Sequence, residues 1–181
     1  GILARSGAVY HAKAVVVCSG TYLRGRVFYG EVDYESGPDG MFAAKLLSDS
    51  LTKLGIPLRR LKTGTPARVH RDSVDFSVME IQKGDEVLVP FSFMNMSDDF
   101  GVGREQVDCW LTYTTPKMRD TIRENILRSP MYRGEVDGVG PRYCPSIEDK
   151  VHRFHDKEQH QVFIEPEGLN TKEIYVQGVS S

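Results

Sequence analysis

The sequence predicts a mixed α/β chain, and three observations carry that prediction. Residues Ala12 to Cys18 hold the apolar, β-branched part of the run AVVVCSG, which suits a strand covered on both faces. Stretches opening at Gly40, Thr115 and Pro145 repeat apolar residues at helical spacing. Short β-rich runs separated by polar loops fill the space between them. A length of 181 residues with 40% hydrophobic and 27% charged content is enough for one or two compact domains, and it excludes a disordered tail. Formal net charge is −2, so affinity for nucleic acid must come from a local patch rather than from the whole surface.

Taken in order, Ala8 to Tyr10 and Ala12 to Cys18 read as two strands joined at His11. Ser19-Gly20-Thr21 then breaks the second. A turn of small residues at the carboxyl end of a strand is where a nucleotide can approach the backbone, and it is also an ordinary strand-to-loop turn. Gly37-Pro38-Asp39-Gly40 leads into a helix of about fourteen residues, with Ala43, Leu47, Leu51 and Leu54 as its core face and Gly55 as its stop. Strands are expected at Asp75 to Met79, Val87 to Met94 and Val107 to Thr114, with an exposed loop from Ser97 to Gln106. Thr115-Pro116 opens a helix to about Leu127 that turns Met118, Ile122 and Ile126 inward and Arg119, Arg123 and Arg128 outward. Two further strands are expected at Gln161 to Glu165 and Ile174 to Val176.

Two segments carry chemistry. From Arg59 to Arg71, RRLKTGTPARVHR holds Arg59, Arg60, Lys62, Arg68 and Arg71 with no acid among them. Cations interrupted by Thr63-Gly64-Thr65-Pro66 can hold a phosphate through N–H groups, hydroxyls and guanidinium forks; a solvated charged strand is the other reading. In GPRYCPSIEDKVHRF, Gly140 to Phe154, Pro145 has the fixed φ of a first helical position, and Ile147, Val151 and Phe154 make the apolar stripe. That places Cys144 at the N-cap with Arg142 nearby, where a thiolate is favoured, although Glu148 and Asp149 oppose it. A packed structural thiol is the alternative.

Other chemistries find no support. No G-x-G-x-x-G or G-x-x-x-x-G-K-[ST] occurs; Gly20 to Gly25 has the P-loop spacing but runs into Arg26-Val27. Cys18, Cys109 and Cys144 lack zinc or redox spacing and suit a reducing cytoplasm. His152, His155 and His160 cluster without a metal pattern and read as solvated, so no metal is expected. No apolar stretch has membrane-spanning length. The chain opens at Gly1 within strand-like sequence and reads as an internal piece of a longer protein.

The strings AKAVVVCSGTYLRG, RLKTGTPAR, VDFS, RSPMY, GVGPRYCPSIEDKVHRF, HQVFIEPEG and EIYVQG, in this order, closely resemble the central part of the FAD-dependent tRNA uridine 5-carboxymethylaminomethyl modification enzymes, the GidA/MnmG family. The resemblance spans essentially the whole chain. It implies a flavoprotein that modifies C5 of wobble uridine in tRNA, using FAD, NADH and a methylene-folate one-carbon donor, together with a GTPase partner and as a homodimer. It also implies part of a glutathione-reductase-like FAD-binding domain in residues 1–64, and an inserted mixed β-sheet domain with helices, associated with nicotinamide and substrate, in residues 65–181.

By the same resemblance Ser19, Gly20 and Thr21 lie near the flavin nucleotide. Gly140, Pro141, Arg142, Tyr143, Pro145, Ser146, Ile147, Glu148, Asp149 and Lys150 form the nicotinamide-associated segment. Cys144 is the cysteine needed for modification, and Arg59, Arg60, Lys62, Thr63 and Arg68, with Arg142 and Lys150, meet phosphate or RNA. The family's dinucleotide fingerprint and a second required cysteine do not occur in the sequence, so the piece alone is expected to be inactive. Ala44 stands where relatives have a Ser near the FAD. A flavin- and NADH-dependent reductase of a small molecule and a non-catalytic RNA-binding module remain as the alternatives.

Overall fold

The structure is a computed structural model, and it describes residues 1–97, 100–136, 138, 140 and 145–180. Chain contacts divide it into two units, Gly1–Arg59 and Arg60–Ser181.

The first unit holds two small hairpins and one helix. β1 (Ile2–Leu3) pairs antiparallel with β2 (Val9–Tyr10). β3 (Arg26–Tyr29) pairs with β4 (Val32–Glu35), with Tyr29 opposite Val32 across the two-residue turn Gly30-Glu31. Gly30 sits at φ +60°, the left-handed conformation that such a turn requires. The alternating run RVFY-GE-VDYE is the signal for this hairpin, which the sequence analysis does not anticipate. α1 (Lys45–Lys53) is shorter than expected, because Pro38–Gly40 forms a separate 3-10 turn and Ala44, the N-cap, has no side chain with which to cap.

Two expectations for this unit fail for one reason. The run Ala12 to Cys18 forms no strand, and its side chains stand open, Val16 at 85% exposure. Of the helical stripe only Leu51 is buried, while Leu47 and Leu54 are exposed. A strand needs a ladder partner and an apolar stripe needs a facing surface; the described residues of this unit supply neither.

The second unit is built on one five-stranded sheet. β5 (Arg68–His70), β6 (Glu80–Gln82), β7 (Cys109–Tyr113), β8 (Gln161–Pro166) and β9 (Glu173–Gln177) run in the order β5-β9-β8-β7-β6 with every neighbour antiparallel. Because side chains alternate along a strand, Val162 and Ile164 of β8 share a face with Ile174 and Val176 of β9 and with Trp110 of β7. That face is the core: Val162, Ile164 and Ile174 are buried, and Val69, Val74, Phe76, Met79, Trp110, Val176 and Val179 pack around them. Phe76 reaches Trp110 with ring centroids 4.4 Å apart. It does so from a 3-10 turn, Phe76–Val78, where a strand was expected. Asp75 Oδ1 stabilises that turn by accepting from Ser77 N at 3.0 Å and Ser77 Oγ at 2.6 Å, which holds its carboxyl below the ordinary range.

The expected strands over 107–114, 161–165 and 174–176 appear as β7, β8 and β9. The run Val87 to Met94 does not form one; it finds no ladder partner among the described residues and passes into a 3-10 turn at Phe93–Asn95. α2 (Pro116–Glu124) is capped by Thr115 Oγ1, which accepts from Met118 N at 3.2 Å, and a 3-10 turn at Ile126–Arg128 takes the place of its expected last turn. α3 (Ile147–Arg153) follows the reactive segment.

Candidate functional site

The start of α3 is tied to the rest of the second unit by several hydrogen bonds. Ser146 is the N-cap: fully buried, its Oγ accepts from Asp149 N at 3.3 Å. Ile147 N donates to Ser180 O at 2.7 Å, and Lys150 Nζ donates to Gly178 O at 2.7 Å, tying the helix to the chain beyond β9. A Cβ at Gly178 would lie 2.7 Å from Gln161 O, so only glycine admits that approach. These bonds correct the sequence prediction. A serine hydroxyl caps better than a thiol, so the helix begins at Ile147, Pro145 precedes the cap, and Cys144 lies two positions ahead of it. The N-cap position expected to favour a thiolate is therefore held by Ser146. Pro141, Arg142, Tyr143 and Cys144 lie outside the described residues, and Gly140 and Pro145 flank them.

Two buried carboxylates on the first turn of α3 are held from the segment after α2. Ser129 Oγ donates to Glu148 Oε1 at 3.1 Å, and Tyr132 Oη donates to Asp149 Oδ1 at 3.2 Å. Burial and the neighbouring Asp149 carboxylate push the Tyr132 phenol up to about 12, so it stays a donor throughout the physiological range. The Tyr132 ring also meets His152 edge-on at 5.3 Å, and Arg123 donates to His155 O at 2.7 Å. Ser129 and Tyr132 belong to the RSPMY string, to which the sequence analysis assigns no role. A hydroxyl pair three residues apart is the only signal it offers.

A second correction concerns His160, expected to be solvated. It is buried where β7 meets β8: Thr114 N donates to His160 O and His160 N donates to Thr114 Oγ1, both at 2.9 Å. Burial, Lys150 and Lys157 lower its pKa. Among the described residues no cluster of His, Cys, Asp and Glu could hold a metal, and no helix is long and apolar enough to cross a membrane.

The basic segment divides into two parts. Arg68, on β5, is committed: its Nε donates to both oxygens of Glu167 at 2.8 Å and its guanidinium lies 5.1 Å over the Tyr175 ring. Arg60 and Leu61 instead pack on Gly138, where a Cβ would lie 3.1 Å from Arg60 Cγ. The fold thus brings the start of RLKTGTPAR against Gly138, a residue far from it in sequence. Thr63 is exposed, and Lys62 is half-buried with its ammonium covered and, among the described residues, without a hydrogen-bond partner. Arg59 is exposed and belongs to the first unit.

In the first unit, Ser19, Gly20 and Thr21 form an open turn in which Tyr22 N donates to Ser19 O at 3.2 Å, with Gly20 at φ +54°. The nearest atom to a Cβ at Gly20 would be Tyr22 Cδ2 at 3.7 Å, which leaves the backbone approachable and fits the turn to a nucleotide. Among the described residues the covered ammonium of Lys62 meets no acceptor, which suits an anionic group.

An antiparallel sheet carrying a Ser-capped helix behind a Cys-Pro segment, and an open unit with an apolar run ending in a Ser-Gly-Thr turn, define a member of the mixed α/β class. The chain belongs to the family described as Glucose inhibited division protein A, whose profile matches residues 1–181. Over 181 residues it is 60% identical to a protein of Alkaliphilus metalliredigens named tRNA uridine 5-carboxymethylaminomethyl modification enzyme MnmG, and over 180 residues 58% identical to the protein of that name from Finegoldia magna. These alignments cover 100% and 99% of the chain and 28% of each relative's length. A crystal structure of Aquifex aeolicus GidA superposes with a TM-score of 0.80 at 46% identity, over 97% of this chain and 30% of that one. The family and the fold class expected from the sequence are both upheld.

Proposed function

We propose that the chain is the central part of a flavoprotein that adds a carboxymethylaminomethyl group at C5 of the wobble uridine of tRNA. The observation that carries this reading is the end-to-end match, at 60% and 58% identity, to two proteins named for that modification. Cys144 supplies a sulfur at the uridine ring, as nucleophile or proton-transfer group. α3 is its frame: the cap at Ser146 and the bonds from Ser129 and Tyr132 set where the chain ahead of Pro145 begins.

The turn Ser19-Gly20-Thr21 holds the flavin nucleotide through backbone that small residues leave accessible. FAD supplies the redox chemistry when bound, with NADH as its reductant and methylene-folate as the one-carbon donor. Ser146, Glu148, Asp149 and Lys150 are bonded within the unit and Ile147 is buried, so contact with nicotinamide falls to Gly140, Pro141, Arg142, Tyr143 and Pro145. Arg59, Arg60, Lys62 and Thr63 receive RNA phosphate. A GTPase partner, a second copy of the protein and a cytoplasmic setting complete the reading.

Cys144→Ser in the full-length protein is the test. Loss of uridine modification, read by mass spectrometry of tRNA nucleosides, with tRNA affinity within a few-fold of wild type, is the expected result. Retained modification removes Cys144 from the chemistry. Filter binding across salt concentrations separates a tRNA enzyme from a small-molecule reductase, because each phosphate contacted costs about one decade of affinity per decade of salt.

A further inference from the structure

We propose that the apolar strip at residues 87–96, in the excursion between β6 and β7, is a docking surface for a second copy of this protein. The excursion is anchored at its base, where Gln106 Nε2 donates to Asp85 O at 2.9 Å. Further out, Leu88 packs on Gly101, which stands at φ +83° and where a Cβ would lie 3.2 Å from Leu88 Cβ. Leu88 and Pro90 are half-buried, and the residues alternating with them are turned outward: Val87 is 75% exposed, Val89 74%, Phe93 92%, and Phe91 is wholly open. This is the period of a strand with one apolar face. Hydrogen bonds hold the tip in shape, since Ser92 Oγ accepts from Met94 N at 3.2 Å and Asn95 N donates to Ser92 O at 3.0 Å. Met94 and Met96 are exposed there as well.

Area and charge select the occupant. At about 150–250 Å² for each Phe and about 60–120 Å² for each Val or Met, these side chains expose on the order of 700 Å² of apolar surface. That exceeds the roughly 300–600 Å² of the largest patch on a typical monomer, and it approaches the roughly 800 Å² that each partner buries in a standard interface. A two-fold contact sets a patch against itself, so a charge near its centre would meet its own like. The sequence from Val87 to Ser97 has no charged residue. Asp85, Glu86, Asp98, Asp99 and Glu105 flank it, opposed only by Lys83 and Arg104, a setting that repels an RNA backbone. The run also has no ladder partner among the described residues, which leaves its backbone open to antiparallel pairing with the same run of the second copy. The function proposed above includes a second copy without a surface for it; the inference supplies that surface and rests on that reading for the copy alone.

The test uses the full-length protein carrying Phe91→Asp together with Phe93→Asp, which sets like charges against each other across the two-fold, and Phe91→Leu with Phe93→Leu as the apolar control. Sedimentation equilibrium over a dilution series gives the dimer dissociation constant, and hydrogen exchange reads the amides of residues 87–96 above and below it. The expected result is that the Asp pair raises the dissociation constant at least about thirtyfold while the Leu pair stays near wild type, and that the wild-type strip is protected only where the dimer is populated. Both side chains are open to water in the single copy, so the far-ultraviolet circular dichroism of the Asp pair should match wild type. A dimer that the Asp pair leaves intact overturns the surface but not the second copy; a wild-type protein that stays monomeric at every concentration overturns both. A strip protected equally in the monomer means that the rest of the same polypeptide covers it, and a loss of tRNA affinity with an unchanged dimer means that it meets RNA; either overturns the inference. None of these readouts requires uridine modification, so a failure of the catalytic reading registers separately.

Discussion

The first unit of this chain is the richer in apolar residues, yet it buries fewer of them than the second. In Arg60–Ser181, Ile174 is 1% exposed and sits within a closed cluster formed by four neighbouring strands and the 3-10 turn at Phe76. In Gly1–Arg59, Val15, Val16, Val17, Leu46 and Leu54 are all exposed, and the strands form only two-stranded ribbons. Apolar content does not decide burial here; the availability of ladder partners does. A five-stranded sheet satisfies its inner backbone groups and buries one face, whereas an isolated hairpin does neither. The relatives that match this chain are longer, the chain spanning 28% of their length, and their additional sequence is where partners for Ala12 to Cys18 are to be sought.

The comparison is broken most sharply by truncating one apolar side chain in each unit. Ile174→Ala deletes buried methylenes from the centre of the cluster and is expected to cost about 2–5 kcal/mol, while Leu46→Ala, on an exposed helix surface, should stay within about 0.5 kcal/mol. Urea denaturation of the two variants checks this; equal losses would mean that the first unit has a core of its own.

A smaller effect is expected at the frame of the reactive segment. Tyr132→Phe removes the donor to the buried Asp149 carboxylate and should cost about 1.5–3 kcal/mol, and the melt of Ser129→Ala, which strips Glu148 of its donor, should move in the same direction. Unchanged stability in both variants would leave α3 without the anchorage assigned to it.

The smallest effect is a change in pH dependence. The pKa of His160 is lowered in the fold by burial and by Lys150 and Lys157, so the unfolded chain takes up the proton first as pH falls. Its contribution to stability is therefore complete above its ordinary value of 6.5 and is lost progressively below it. Denaturation midpoints of wild type and His160→Gln between pH 7.5 and about 5 should show a steeper acid decline in the wild type; parallel curves would place His160 in water.

The chemistry-bearing strings were legible in the sequence, and their geometry only partly so. β7, β8 and β9 were readable because β-branched and aromatic residues alternate there and the strands find one another in the chain. Ala12 to Cys18 and Val87 to Met94 carry the same local signal, yet no partner among the described residues turns that signal into a ladder. At α3 the helical stripe was correct, but two positions, Pro145 and Ser146, each suit a helix start. The serine prevails because its oxygen satisfies a buried N–H, which a proline ring cannot do. The sequence presents the basic segment as one patch; the structure ties Arg68 to Glu167 in the turn between β8 and β9, while Lys62 meets no hydrogen-bond partner among the described residues. That distinction depends on where Glu167 falls in three dimensions, which spacing along the chain does not encode.

Hydrogen exchange on the 181-residue chain, followed by mass spectrometry, tests most directly whether the second unit builds its frame without help. The expected result is strong protection of β7, β8, β9 and the amides of α3, with Ala12 to Cys18 exchanging at the rate of an open chain. Comparable protection of Ala12 to Cys18, or an α3 that exchanges as fast as that run, would contradict it.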